Sequence, residues 1–232
     1  MNDTIDRIIL LDKPAGISSF GCVARVRRYL TKLAGHKVKV GHCGTLDPFA
    51  TGLLILVSGK NTRRAMEFTK LDKVYEATLR LGWTSTTGDP EGDVTNVSDR
   101  VPNLNEIKSA LQQFTGKIKQ TPPAFSAIKI NGQRAYKLAR AGKEVEIPPR
   151  EVEVYSLEIL DYTYPDLIIR THVSSGTYIR SLAADIGQVL GVGAYLTTLR
   201  RVKIADFDIK NAEPLDKFDK TGESGVIYKS ND

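Results

Sequence analysis

An α+β fold with a mixed, largely antiparallel sheet flanked by helices is what this sequence predicts, on three observations. Strand-like and helical stretches follow one another without the regular βα alternation of a doubly wound sheet. Lys73 to Leu81 alternates strictly, with Tyr75, Ala77, Leu79 and Leu81 on one face and Glu76, Thr78 and Arg80 on the other, as a half-buried strand does. Ile107, Ala110, Leu111 and Phe114 recur at i, i+3, i+4 and i+7, the stripe of an amphipathic helix. A chain of 232 residues is long enough for one large domain or two small ones, and 41% hydrophobic with 26% charged residues places it among ordinary globular proteins.

Taken in order, Ile8 to Leu11 reads as a buried strand ending in the Pro/Gly turn Asp12-Lys13-Pro14-Ala15-Gly16. Ser18 or Ser19 caps a helix whose apolar side is Val23, Val26, Leu30 and Leu33 and whose other side carries Arg25, Arg27, Arg28 and Lys32. Leu53 to Val57 is a second buried strand, and a short helix runs from Asn61 or Thr62 through Phe68. Residues 83–93 form a turn-rich loop, and Asn103 or Asn105 caps the Ile107 helix. After Gln120-Thr121-Pro122-Pro123 comes an insert at about 124–150: a strand from Phe125 to Ile130, a hairpin at Asn131-Gly132, and a short basic helix from Ala135 to Ala141. Its Lys129, Arg134, Lys137, Arg140 and Lys143 make it a positively charged flap.

Strands at Glu151–Leu160 and Leu167–Val173 follow, then a turn into a helix with the stripe Ile179, Leu182, Ala183, Ile186 and Leu190, which places Tyr178 and Arg180 in the first turn off that stripe. A last strand runs from Ala194 to Ile209. The domain assignment is a catalytic domain over 1–216 with a polar tail over 217–232.

The charge balance narrows the partner. Thirty-three Lys and Arg against 27 Asp and Glu give +6, concentrated in the first seventy residues and the insert, which favours a polyanion such as nucleic acid. Two cysteines, Cys22 and Cys43, are too few for a disulfide framework or zinc cluster, and reduced thiols suit an intracellular compartment. The N-terminus lacks the basic flank and apolar core of a signal peptide, and no apolar run reaches membrane-span length, so the expectation is a cytoplasmic protein without a membrane.

Standard sites are missing. Gly59-Lys60 lacks the upstream glycine of a P-loop, there is no G-x-G-x-x-G after a strand and no G-x-S-x-G elbow, and His36, His42 and His172 have no metal-ligand spacing. Asp89, Glu91 and Asp93 lack the downstream glutamate of a calcium loop, so no metal is expected. Cys43 beside His42 is a poor nucleophile–base pair, because adjacent residues seldom aim at one atom.

What remains is the stretch Gly41 to Gly52, with three glycines, Pro48 and one carboxylate, Asp47, ahead of a buried strand. The glycines and the proline favour a tight, pre-shaped loop that presents Asp47, although a surface Asp-Pro turn would read the same way locally.

Several blocks together carry a resemblance. Lys13-Pro14 with Gly16, the block Gly41-His42-Cys43-Gly44-Thr45-Leu46-Asp47-Pro48 with Ala50 and Gly52, Tyr75, Thr86-Thr87-Gly88-Asp89 with Gly92, Gly176-Thr177-Tyr178-Ile179-Arg180 and Leu199-Arg200-Arg201 resemble the TruB family of tRNA pseudouridine-55 synthases, from about Leu10 to Ile209. The resemblance implies the pseudouridine synthase fold. It also implies cofactor-free, metal-free isomerisation of one T-loop uridine of tRNA to pseudouridine. By matching position Asp47 is the catalytic aspartate, as nucleophile or as base for the 2′ proton. Arg180 pairs with it, Tyr75 lies against the flipped uracil, and Tyr178 lines the pocket.

By the same resemblance His42 fills the gap left by the flipped base, in keeping with its ability to stack on RNA. Lys13, Asp89, Leu199, Arg200 and Arg201 belong to the substrate- and RNA-binding set, with Arg200 and Arg201 on phosphates. The insert corresponds to the thumb of bacterial members, which implies a stand-alone monomer needing no guide RNA. Family members usually continue into a small C-terminal RNA-binding barrel, which this sequence is expected to lack. Two alternatives stay open: an RNA-binding or folding module without turnover, and a synthase with a different RNA target.

Overall fold

A computed structural model of the chain describes residues 5–126, 128–130, 133–135 and 147–219. The chain begins with β1 (Ile8–Lys13), α1 (Ser19–Ala34), β2 (Val40–His42) and β3 (Thr51–Ser58). A 3-10 turn (Gly59–Arg64) leads into α2 (Ala65–Thr69), β4 (Lys73–Leu81), β5 (Trp83–Ser85), β6 (Val94–Asn96), α3 (Leu104–Gln112) and β7 (Gly116–Gln120). Then come β8 (Lys129–Ile130), β9 (Gln133–Arg134), β10 (Arg150–Thr163), β11 (Asp166–Val173), α4 (Ile179–Val189), β12 (Ala194–Ile204), β13 (Phe207–Asp208) and β14 (Glu213–Pro214). These elements form two compact units, Met1–Tyr75 with Leu199–Asp232, and Glu76–Thr198.

In the first unit the strand order is β14-β1-β3-β12. β1 and β3 are antiparallel from Ile8↔Val57 to Lys13↔Gly52, whereas β12 joins β3 in parallel at Arg200↔Thr51 and Arg201↔Gly52. Both faces are covered, so β1 and β3 are continuous apolar runs whose alternate residues enter two different cores. Ile9, Leu11, Leu54 and Leu56 pack with Val23, Val26 and Leu30 of α1, while Ile8, Leu10, Leu53, Ile55 and Val57 pack with Phe68 and Ile204. Each such side chain contributes about 1.5–3 kcal/mol through burial. Ser18 is the N-cap of α1, its Oγ accepting from Gly21 N at 3.0 Å. The helix stripe stops one turn short of expectation: Leu33 is exposed, because Val38 and Val40 close that core instead.

β2 also pairs antiparallel with β3, Gly41↔Val57 and His42↔Leu56, so the glycine-rich stretch is the hairpin connection between them. Gly52 at its far end has φ +104°, and a Cβ there would come within 2.3 Å of the Arg201 carbonyl oxygen, so only glycine fits beside β12.

In the second unit β4, β11, β10 and β7 follow in that order, with β10 antiparallel to both neighbours. The inward face of β4 is as expected, Tyr75, Ala77, Leu79 and Leu81 all buried. Asn103 caps α3 in a capping box with Glu106, and Ile107, Ala110 and Leu111 are its buried stripe. The turn-rich loop folds as a small hairpin, β5 on β6. β12 is shorter than expected, turning at Ala205 (φ 45°) into the antiparallel β13.

Within the insert, β8 and β9 pair through Lys129↔Arg134 and Ile130↔Gln133. The Asn131-Gly132 turn and the Ala135–Ala141 helix lie outside the described residues, except for Ala135 itself. Lys217 to Asp219 are less tail-like than their polarity suggests: Phe218 meets the Tyr29 ring edge-on at 5.5 Å, and Asp219 pairs with Arg25 at 3.2 Å.

Candidate active site

Asp47 sits between two anchored residues of the β2–β3 connection. Before it, the Ser19 hydroxyl accepts from Leu46 N at 2.8 Å and donates to Leu46 O at 2.9 Å. After it, Pro48 O accepts from Gly16 N at 2.8 Å and from the Lys13 ammonium at 3.1 Å. Lys13 also donates to Pro14 O at 2.9 Å and Ile17 O at 2.7 Å, so its three ammonium hydrogens serve three carbonyls that join β1, the following turn and the Asp47 loop. A half-buried carboxylate is thereby fixed through its neighbours.

Arg201 is the second anchor. Its Nε donates to Leu53 O at 2.7 Å and its Nη2 to Gly44 O at 3.1 Å, gripping the loop near both ends. The remaining Nη1 reaches the Tyr75 hydroxyl at 3.5 Å, and the guanidinium carbon lies 6.0 Å from the Tyr75 ring centre. Lys73, two residues before Tyr75 on β4, donates to the carbonyls of Thr69 (2.8 Å) and Leu71. Burial first, and the Arg201 cation second, push its amine down to about 8. Burial pushes the Cys43 thiol up to about 11, which removes it from consideration as a nucleophile at neutral pH. His42 ends β2, half-buried, five positions before Asp47.

The second unit holds the other expected residues. Tyr178 is the N-cap of α4 and Arg180 lies in its first turn, buried to 4% exposure rather than off the apolar stripe. Asp89 accounts for that burial: Arg180 Nη1 meets its Oδ2 at 3.1 Å, with both side chains at 4% exposure or less. Nη1 also donates to Thr87 O at 2.9 Å and Nη2 to Phe125 O at 2.7 Å. The Asp89 carboxylate accepts further from the Thr87 hydroxyl at 2.6 Å and Glu91 N at 3.0 Å. Removing two charges from water costs several kcal/mol per ion, and this density of partners is what offsets it. Tyr178 is half-buried, its ring 5.0 Å from the Arg150 guanidinium and its peptide held by the side chain of Gln120.

Three residues of the expected substrate- and RNA-binding set are buried. Lys13 (0% exposed), Arg201 (1%) and Asp89 (2%) are interior, with polar atoms on carbonyls, a hydroxyl and an ion pair, so each braces a loop from within. Leu199, on β12, is buried as well. Arg200 is 41% exposed at its side chain, paired with Asp12 at 2.7 Å and reaching Thr51 Oγ1 at 3.3 Å. On the outer face of α1 the expected basic side lines an open cavity of about 510 Å³, formed by Arg27, Arg28, Lys32 and Lys37 with Ala24 and Thr31.

Gln120, Arg150 and Lys73 are not among the residues that the sequence motifs single out. Gln120 offered one signal, an amide placed at a strand end just ahead of Thr121-Pro122-Pro123. Among the described residues no group of three or more His, Cys, Asp and Glu side chains is placed to hold a metal, and no helix is long and apolar enough to cross a membrane.

With this geometry in hand, comparison with known proteins gives one answer. Residues 28–179 match the family described as TruB family pseudouridylate synthase (N terminal domain), and residues 180–222 match tRNA pseudouridylate synthase B C-terminal domain. The chain is similar to the tRNA pseudouridine synthase B of Endomicrobium trichonymphae, 45% identical over 90% of each chain. It is also similar to the protein of that name from Burkholderia mallei, 44% identical over 93% of this chain and 70% of the relative. Among solved structures it resembles a chain of a Cbf5-Nop10-Gar1 complex (TM-score 0.70, 32% identity) and one of an H/ACA RNP bound to a substrate RNA containing 2′-deoxyuridine (TM-score 0.66, 28% identity). It covers 93% and 94% of itself in those matches, and spans 54% and 59% of the solved chains.

Proposed function

Because the chain belongs to the TruB family of pseudouridylate synthases, we propose that it isomerises a T-loop uridine of tRNA, at position 55, to pseudouridine. The N1–C1′ bond of the nucleotide breaks, the detached uracil turns, and a C5–C1′ bond forms. The C5 proton is released and N1 gains one, so the reaction needs no redox partner. Asp47 is the group that acts on the ribose or the base, Tyr75 supports the flipped uracil, Tyr178 lines its pocket, and Arg180 supplies fixed positive charge. A uridine in a folded loop is out of reach until it is unstacked, and His42 is the ring proposed to take its place in the stack. Arg200 and the basic face of α1 are the proposed phosphate contacts, giving affinity and register rather than base identity. A monomer working on the T-arm in the cytoplasm, without guide RNA or metal, completes the proposal.

The observation that carries this reading is the anchoring of Asp47 from both sides, by the Ser19 hydroxyl at Leu46 and by Lys13 and Gly16 at Pro48. Positioning of that kind is what a group acting at a bound sugar or base requires. The test is release of tritium from C5-labelled uridine in a T-arm RNA. Asp47→Asn is expected to lower turnover by at least about a thousandfold while leaving RNA affinity within a few fold. Full turnover by that variant would remove Asp47 from the chemistry, and unmodified RNA after incubation with excess wild-type protein would favour an RNA-binding module instead.

A further inference from the structure

Tyr178 opens α4 without a side-chain cap, at φ −100° and ψ 113°, so its peptide is not held by helix geometry alone. Gln120 holds it. The Gln120 amide accepts from Tyr178 N at 2.7 Å through Oε1 and donates to Tyr178 O at 3.0 Å through Nε2. A side-chain amide with one donor and one acceptor aimed at one residue does what a neighbouring strand's peptide would do. The orientation of the amide follows from the pair, since a flipped group would set donor against donor and acceptor against acceptor. Gln120 is 1% exposed, so these bonds form away from water and their loss would leave a buried donor and acceptor unsatisfied.

Arg150 holds the other end of the same turn. It faces Gln120 directly in the β7–β10 ladder, Arg150↔Gln120. Its Nη2 donates to Gly176 O, and its guanidinium carbon lies 5.0 Å from the Tyr178 ring centre, within cation–π range. The first turn of α4 adds one more tie on that side, Ser181 Oγ donating to Thr121 O at 2.8 Å.

We propose that Gln120 and Arg150 are positioning residues for Tyr178, one fixing its peptide and the other its ring, from a single cross-strand pair where the chain leaves and re-enters the sheet around the 121–149 segment. This rests on the proposed function only in giving Tyr178 a place against the substrate base. Neither residue touches the reacting atoms; both act through where Tyr178 stands.

Single-turnover tritium release at saturating T-arm RNA, with RNA affinity measured beside it, tests the idea in Gln120→Met and Arg150→Met. The expected result is a rate lowered about tenfold or more with affinity changed less than about twofold. In a Tyr178→Ala background the same substitutions should lower the rate less than about twofold further, because the group they position is gone. Wild-type rates, or the full loss repeated in the Tyr178→Ala background, overturn the proposal. Arg150 is at a partly exposed position, so it serves if Gln120→Met does not fold.

Amide hydrogen exchange supplies a readout independent of turnover. Exchange at the Tyr178 peptide should quicken in Gln120→Met, and unchanged exchange would overturn the proposal even if the wild-type protein modified no RNA. Absence of wild-type turnover, taken with quickened exchange, would instead fall on the proposed function alone.

Discussion

In the first unit, the loop bearing Asp47 is gripped by cations that hold backbone oxygens: Lys13 on three carbonyls, and Arg201 on two carbonyls and the Tyr75 hydroxyl. In the second, the gripped residue is itself a cation, Arg180, and what grips it includes a buried carboxylate, Asp89. Both arrangements bury charge next to residues assigned to the chemistry. They differ in what is left behind when one member is removed. Deleting a first-unit cation strands carbonyls, which cost about 1–3 kcal/mol each when buried without a partner. Deleting Arg180 strands an ion, which is more expensive. The first plan holds a backbone in shape; the second holds a charged side chain in place.

The sharpest way to break that contrast is to empty the ion pair. Arg180→Met should destabilise the protein by about 3–5 kcal/mol because Asp89 is left charged and enclosed, and Arg180→Met with Asp89→Asn should recover much of the loss. Urea midpoints of the two variants decide it: equal midpoints would mean that Asp89 does not behave as a buried ion. Next in size is Arg201→Met, expected to cost about 2–4 kcal/mol from the carbonyls of Gly44 and Leu53 and to lower turnover through the loop and Tyr75 together. Here no acidic neighbour's neutralisation should rescue stability; a rescuing Asp→Asn or Glu→Gln would show a hidden counter-ion and end the distinction. Ser19→Ala removes both bonds to Leu46 and is expected to cost about 1–2 kcal/mol, with a larger proportional fall in turnover than in RNA affinity. A variant that lost affinity and kept its rate would detach the loop's shape from the chemistry.

Much of this arrangement was legible in the chain. The β4 face, the α3 and α4 stripes and the Ser18 cap follow from local periodicity and capping, and the structure repeats them. The tight loop around Asp47 was legible because glycines and a proline crowd around a single carboxylate. Lys13, Arg201 and Asp89 were legible as residues of interest but not as buried ones. A basic or acidic side chain is read as a surface group until its partners are known, and here each has at least one partner far along the chain, a carbonyl or a charge 35, 148 and 91 residues away respectively. Gln120 was hidden for the same reason: its two bonds go to a peptide 58 positions on. Leu33 erred in the opposite direction, since helical spacing reports a stripe but not where the opposing core ends.

The smallest effect expected probes a buried first-unit cation that holds backbone carbonyls. Lys73 loses its proton near 8 in the folded protein but at 10.5 when unfolded, driven first by burial and then by Arg201. Between those values the unfolded chain binds more protons, so this residue makes stability rise with pH. A neutral amine still carries two hydrogens, enough for the carbonyls of Thr69 and Leu71, so deprotonation relieves the charge without breaking either bond. Cys43 works the other way: its folded thiol keeps its proton to about 11, the unfolded one to 9.0, so stability falls between those values. The two overlap above pH 9 and oppose each other there. The clean window is pH 8 to 9, where Lys73 contributes a gain of up to about 1.4 kcal/mol, one pH unit's worth. Urea midpoints at pH 8, 9 and 10 should therefore show the wild type gaining on Lys73→Met from 8 to 9. Cys43→Ala should go on gaining to pH 10, where the wild type levels off. Parallel curves for wild type and Lys73→Met would mean that burial and Arg201 leave the Lys73 charge undisturbed.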